Sequence, residues 1–164
     1  MISGWYNKKQ YASEASLTLL YYLCKMNQTI VELLQRHELR KTAMRGEVLK
    51  IFLEAGKQAI THPELERRLP DADRITLYRT LKAFEDKGLI HQVVDSGNAT
   101  KYALCNDACT EHQHHDEHAH FHCNDCGKTI CLDSITTSTI QVPRGFKVQQ
   151  THLVLEGTCN NCDA

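Results

Sequence analysis

An α+β chain in two parts is what the sequence predicts, and three observations carry it. Between residues 42 and 88, apolar residues recur at helical spacing in three short stretches, each bounded by capping residues. Two β-like runs follow, separated by the turn Asp95-Ser-Gly-Asn98. The last third is β-like and carries two Cys-x-x-Cys pairs, Cys123/Cys126 and Cys159/Cys162, with 32 residues between them. Three helices and a hairpin make the order of a winged helix-turn-helix, whose last helix lies in a DNA major groove with the hairpin as its wing. The bland alternative for that order is a generic helical core with a hairpin attached.

The elements follow in turn. Residues 27–37 (NQTIVELLQRH) read as a short amphipathic helix. Thr42 is an N-cap for a second, in which Val48, Ile51, Phe52 and Ala55 share a face and which Gly56 ends. Thr61-His-Pro-Glu64 is a capping-box pattern with proline in the first turn, and it starts a third helix through Leu65 and Leu69 that Pro70 stops. Asp73 caps a fourth, with Leu77, Leu81 and Phe84 on one face and Gly88 after its end. Leu89–Val94 and Thr100–Cys105 form the hairpin. Residues 106–117 (NDACTEHQHHDE) are polar, histidine-rich and unpatterned, hence a linker. Beyond them, Ala119–His122, Lys128–Leu132 and Phe146–Glu156 are β-like, and Ser134–Val142, rich in Thr and Ile, is not assigned as helix. The predicted organisation is an N-terminal extension (1–26), a winged-helix domain (27–105), the linker (106–117) and a small α+β domain (118–164).

Charge divides the same way. The chain of 164 residues has a net charge of −1. Residues 27–104 hold 13 Lys and Arg against 11 Asp and Glu, whereas residues 105–164 hold 3 against 8. The acidic block, which holds most of the cysteines and histidines, suits a cation; the more basic block is freer to meet phosphate. The longest apolar run, Leu17 to Cys24, falls well short of the about 20 residues a bilayer span needs, so no membrane partner is expected. Without a secretory signal the expected setting is the reducing cytoplasm, where Cys-x-x-Cys pairs read as metal or redox sites rather than structural disulfides.

Four thiolates suit a tetrahedral structural zinc, so Cys123, Cys126, Cys159 and Cys162 are read as one Zn²⁺ site that staples the start of the second domain to its end. A core built from fewer than ~50 residues is small enough that metal supplies folding energy. His118 and His120 alternate and so face one side of a strand. His91 in the wing and Cys105 at its end lie next to the linker leading to them. Together these four make a zinc-competent regulatory set bridging the domains, against the alternative of a histidine-rich loop that binds metals loosely. On the fourth helix, Arg79 and Lys82 point away from the Leu77/Leu81/Phe84 face, toward DNA or toward plain solvent. Arg74 serves phosphate or the helix start.

In order along the chain, TAMRGEVLKIFLEAG, DRITLYRTLKAFEDKGLI, HAHFHCNDCGK and GTCNNC resemble the ferric uptake regulator family of bacterial metalloregulators over roughly residues 30–162. The resemblance implies a homodimeric repressor of operator DNA, with a structural zinc on the four cysteines named above. It implies base or backbone contacts from Tyr78 and Arg79 and a phosphate contact from Arg45. The chain looks most like the zinc-uptake branch, in which GLIHQ and YALC place His91 and Cys105 at an interdomain zinc with His118 and His120. Iron sensing through Fe²⁺ is the alternative. A zinc-dependent enzyme is more remote, because no HExxH or HxE…PCxxC pattern is present, and so is a metal buffer using the histidine-rich linker, which would leave the winged helix unexplained. No small-molecule substrate other than the metal ion is expected.

Overall fold

The computed structural model describes residues 6–97, 99–105, 118–136, 142–148 and 151–163; up to residue 17 and at Thr136 it describes the backbone course alone. The predicted linker (106–117) and most of Ser134–Val142 lie outside the described residues.

Helix α1 (Tyr6–Arg36) runs 31 residues. It starts well before residue 27, where the sequence reading places it, because nothing in residues 6–26 punctuates a helix: no proline, no glycine, no turn pair. Its C-terminal part buries Ile30 and Leu34 in the first core, while Leu19, Leu20, Tyr21 and Tyr22 stay exposed. Helix α2 (Ala43–Ala55) is capped by the Thr42 side chain, which accepts from Arg45 N, and stops at Gly56 with φ 60°. Helix α3 (His62–Arg68) has the complete capping box: Thr61 accepts from Glu64 N while the Glu64 carboxylate accepts from Thr61 N. Helix α4 (Arg74–Asp86) is capped by Asp73. It ends where Gly88, at φ 67°, lets Leu89 N donate to Phe84 O. The inward face of α4 is Leu77, Leu81 and Phe84, with Thr80 tucked in through its bond to Thr76 O. These side chains pack with Phe52, Leu49, Leu65 and Ile90 in one core under the four helices. Fully buried aromatics such as Phe52 and Phe84 are each worth about 3–5 kcal/mol against truncation to alanine.

The wing is a three-stranded antiparallel sheet in the order β1-β3-β2. Strands β2 (Ile90–Val93) and β3 (Lys101–Leu104) form the expected hairpin. Strand β1 (Ile60–Thr61), too short to announce itself, adds an edge by pairing Ile60 with Tyr102. In the hairpin His91 lies opposite Ala103. The second sheet has the order β5-β4-β6. Its central strand β4 (His118–Cys123) pairs antiparallel with β5 (Thr129–Thr136) and parallel with β6 (Leu153–Gly157). The strand predicted from Phe146 begins only at Leu153.

Main-chain bonds join the two parts. Ala59 N donates to Thr129 O at 2.8 Å, and Cys131 N donates to Lys57 O at 3.0 Å. A small buried cluster of Ala59, Val93, Ala103 and Cys131 fills the seam.

Candidate metal centres

Cys123 closes β4 and the chain turns at once through Cys126 and Gly127, whose φ of 70° lets its N–H reach Cys123 O at 2.9 Å. A second turn, with Cys162 N bonded to Cys159 O at 2.9 Å, follows β6. Because β6 runs parallel beside β4, both turns arrive at the same end of the sheet. One sulfur from each of Cys123, Cys126, Cys159 and Cys162 lies within 4.8 Å of all the others, and the Cys126 and Cys159 sulfurs are 3.9 Å apart. Sulfurs at 2.3 Å from a tetrahedral zinc are roughly 3.8 Å from one another, so the spacing fits that ion. Cys159 N donates to the Cys123 sulfur at 3.3 Å. Backbone donation from Cys126, more than offsetting burial, brings the Cys123 thiol down to about 6, with further help from Cys159 and Asp125. Hydrogen bonds with Cys159 and Cys126 push Cys162 up to about 12. A divalent cation among the four sulfurs would favour the thiolate form at each of them.

The second cluster lies at the seam between the sheets. His91, His118, His120 and Cys131 are all buried and each places a donor atom within 4.8 Å of the others. His91 Nε2 and His120 Nε2 are 3.2 Å apart, close to the about 3.3 Å between nitrogens sharing a tetrahedral zinc. The Cys131 sulfur is 3.8 Å from His91 Nε2. The His118 ring packs against both other imidazoles, with centroids 5.1 and 4.7 Å away. Both of its nitrogens are buried, and among the described residues neither has a hydrogen-bond partner. A buried imidazole with two orphaned nitrogens is costly unless something else engages a lone pair. Burial, with His118 and His152 nearby, drives His120 down to about 4, so its ring is a neutral donor at pH 7.

This set differs from the expected one at one position. The sequence reading named Cys105 as the thiolate, whereas Cys131 is the one grouped with the three histidines. The reason is register. His120 on β4 lies directly opposite Cys131 on β5, and cross-strand partners share a face about 5 Å apart. Cys105 lies two residues past Ala103, the partner of His91, where its N–H reaches Leu89 O. Its sulfur is 3.5 Å from His91 Nδ1, the nitrogen turned away from the cluster. Cys131 drew no role from the sequence because no Cys-x-x-Cys spacing marks it.

On α4, Tyr78 is 61% exposed, and Arg79 and Lys82 are exposed beside it with Ile75. These side chains share one face, opposite the buried one. Lys82 pairs with Asp86 at 2.9 Å and Arg74 with Glu66 at 2.6 Å, both on the surface. Arg45, on α2, gives a guanidinium N–H to Arg40 O at 2.9 Å.

The ferric uptake regulator family model matches residues 36–156. The chain belongs to that family. Its members are metal-responsive transcription regulators and not enzymes. A ferric uptake regulation protein of Shigella flexneri is 30% identical over 138 residues, which cover 79% of this chain and 88% of that one. Among solved structures, a zinc uptake regulator complexed with zinc and DNA has a TM-score of 0.59 at 23% identity, covering 85% of this chain and 93% of that one. The Vibrio cholerae ferric uptake regulator gives 0.53 at 23% identity, covering 78% and 98%. These two likenesses concern the fold. Among the described residues no helix is long and apolar enough to cross a membrane.

Proposed function

We propose that this regulator senses zinc and represses by binding palindromic operator DNA as a homodimer. The supporting observation is the buried quartet His91, His118, His120 and Cys131. Three imidazoles and a thiol, with no carboxylate among them, make a set softer than Mg²⁺ or Mn²⁺ prefers and well suited to Zn²⁺. When bound, the ion supplies a link across the seam, since His91 belongs to the wing and the other three to the second sheet. The chain's residues do the rest. The β2–β3 hairpin carries α4 with it, and the exposed face of Tyr78, Arg79 and Lys82 meets the major groove. Two such helices reach successive grooves of a palindrome only at one separation, so fixing the seam favours the DNA-binding state. Arg45 and Arg74 add phosphate contacts. The four-cysteine cluster holds a structural zinc, and a reducing cytoplasm keeps all these thiols available.

Iron is the second reading, favoured by the ferric uptake regulation proteins among the relatives. DNA binding by the dimer, with the cysteine cluster loaded, is to be titrated with free Zn²⁺ and Fe²⁺ separately under anaerobic buffering. The expected result is a switch at far lower free zinc than free iron. Cys131→Ser should weaken the zinc response at least about tenfold, and Cys105→Ser less. Equal response to iron at the same free concentration would replace zinc by iron, and a larger loss in Cys105→Ser would restore Cys105 as the thiolate.

A further inference from the structure

We propose that Asp95 and Lys101, two wing residues outside both donor quartets, are positioning residues that assemble the histidine–cysteine site by latching the wing onto the turn of the cysteine cluster. The proposal rests on the assignment of that quartet as a metal site and extends it to how the site is built.

The pair is buried. The Asp95 and Lys101 side chains are 1% and 9% exposed, with Lys101 Nζ 2.7 Å from Asp95 Oδ2. Both reach across the seam. Lys101 Nζ donates to Gly127 O at 2.9 Å and to Thr129 Oγ1 at 2.8 Å, and Thr129 Oγ1 in turn donates to Asp95. His122 Nδ1 stands 3.4 Å from Asp95 Oδ2, 3.5 Å from Lys101 Nζ and 3.0 Å from Thr129 Oγ1. All of Lys101's named partners beyond Asp95 therefore belong to the other domain, on the turn and strands that carry the cysteine ligands. A buried ion pair of this kind adds little net stability over an apolar pair, but it is intolerant of misalignment, so it fixes a register.

The register it fixes is that of the metal site. Lys101 is two residues before Ala103, the partner of His91, and His122 is two residues after His120. On strands, two residues are one step of roughly 7 Å along the same face. The latch is thus the rung adjacent to the one on which His91 meets His120, between the same two sheets. The quartet needs that alignment because three of its donors come from one domain and His91 from the other. With the latch closed, the donors converge before any ion arrives. With it open, only a fraction of molecules present all four, and apparent affinity falls by that fraction.

The test uses the full-length dimer with its cysteine cluster loaded. Zinc affinity of the second site is measured by chelator competition, its ligand set by the Co²⁺ absorption spectrum at saturation, and seam closure before zinc addition by amide exchange at Ala59 and Cys131, whose N–H groups bond across the boundary. Lys101→Met and Asp95→Asn are compared with Thr129→Val, which leaves the wing's own ion pair intact and so separates docking from wing folding. The expected result is a loss of zinc affinity of about tenfold in all three, faster exchange at Ala59 and Cys131, and an unchanged Co²⁺ spectrum. Affinity and exchange like the wild type in Thr129→Val would overturn the latch, as would an altered Co²⁺ spectrum, which would mean changed ligands rather than changed position. None of the three readouts uses DNA. A latch that behaves as stated in a protein whose DNA binding ignores zinc would therefore refute the sensing function and leave this inference standing.

Discussion

The two donor quartets are alike in compactness and opposite in placement. Cys123, Cys126, Cys159 and Cys162 lie within one sheet, at one end of neighbouring parallel strands, with Cys126 and Cys162 exposed. His91, His118, His120 and Cys131 are buried throughout and divided between two domains. A cation in the first closes a domain on itself, so its binding energy is folding energy. In the second it would join parts with separate means of support, the winged helix through its own apolar core and the second sheet through the proposed cysteine site. Its binding energy is then free to bias the relation between domains, which is the property a sensor requires and a structural site does not.

That contrast is broken most decisively at the cysteines. Replacing Cys123 with Ser should cost the second domain its fold, because structural zinc contributes on the order of 10 kcal/mol to so small a unit. Amide exchange should show loss of protection in β4–β6 with α2–α4 still protected. Uniform loss across both domains, or none, would mean that the cysteine site does not act within one domain.

The histidine quartet predicts the opposite behaviour. His118→Leu, close in size and apolar, removes two orphaned nitrogens from the interior. Protein lacking the second metal should gain stability, by about 1–3 kcal/mol, while zinc-stimulated DNA binding is lost. A denaturation midpoint measured with only the cysteine site loaded checks the first part and an operator titration the second. A variant that is less stable and still responds to zinc would make His118 an ordinary core residue.

How far these sites are legible in the sequence differs for the same reason that they differ in space. Cys-x-x-Cys turns are local, and so are the caps at Thr42, Thr61 and Asp73, which mark three helices to within a residue. The alternation of His118 and His120 is local too. Cys131 is not: its closeness to the histidines depends on the register that sets it opposite His120, and that register follows a shift between His118 and Ala119 that no turn residue announces. The same holds for Asp95 and Lys101, whose importance lies in partners more than twenty residues away. Strand β1 is two residues long, and it exists because β3 offers it an edge. The length of α1 escaped because residues 6–26 hold no proline, glycine or turn pair that would mark a boundary within it. Reading thus succeeds where a residue's neighbours in sequence are also its neighbours in space.

The smallest expected effect sharpens the comparison from the surface side. Lys57 and Asp133 also pair across the seam, at 2.8 Å, but their side chains are 66% and 40% exposed. The hydrogen bond with Asp133, and then its charge, raise the Lys57 pKa, which says only that the two groups attract. In water that attraction is screened within about 8 Å at physiological salt, and ordering two mobile side chains offsets much of it. Lys57→Ala should therefore change zinc affinity at the histidine quartet by less than about twofold, with any change vanishing as salt is raised. The buried pair should not show that salt dependence. Chelator competition at low and high ionic strength, with Lys57→Ala beside Lys101→Met, tells the two apart. A Lys57 effect as large as the Lys101 effect would mean that net charge across the boundary, rather than buried alignment, holds the domains in register.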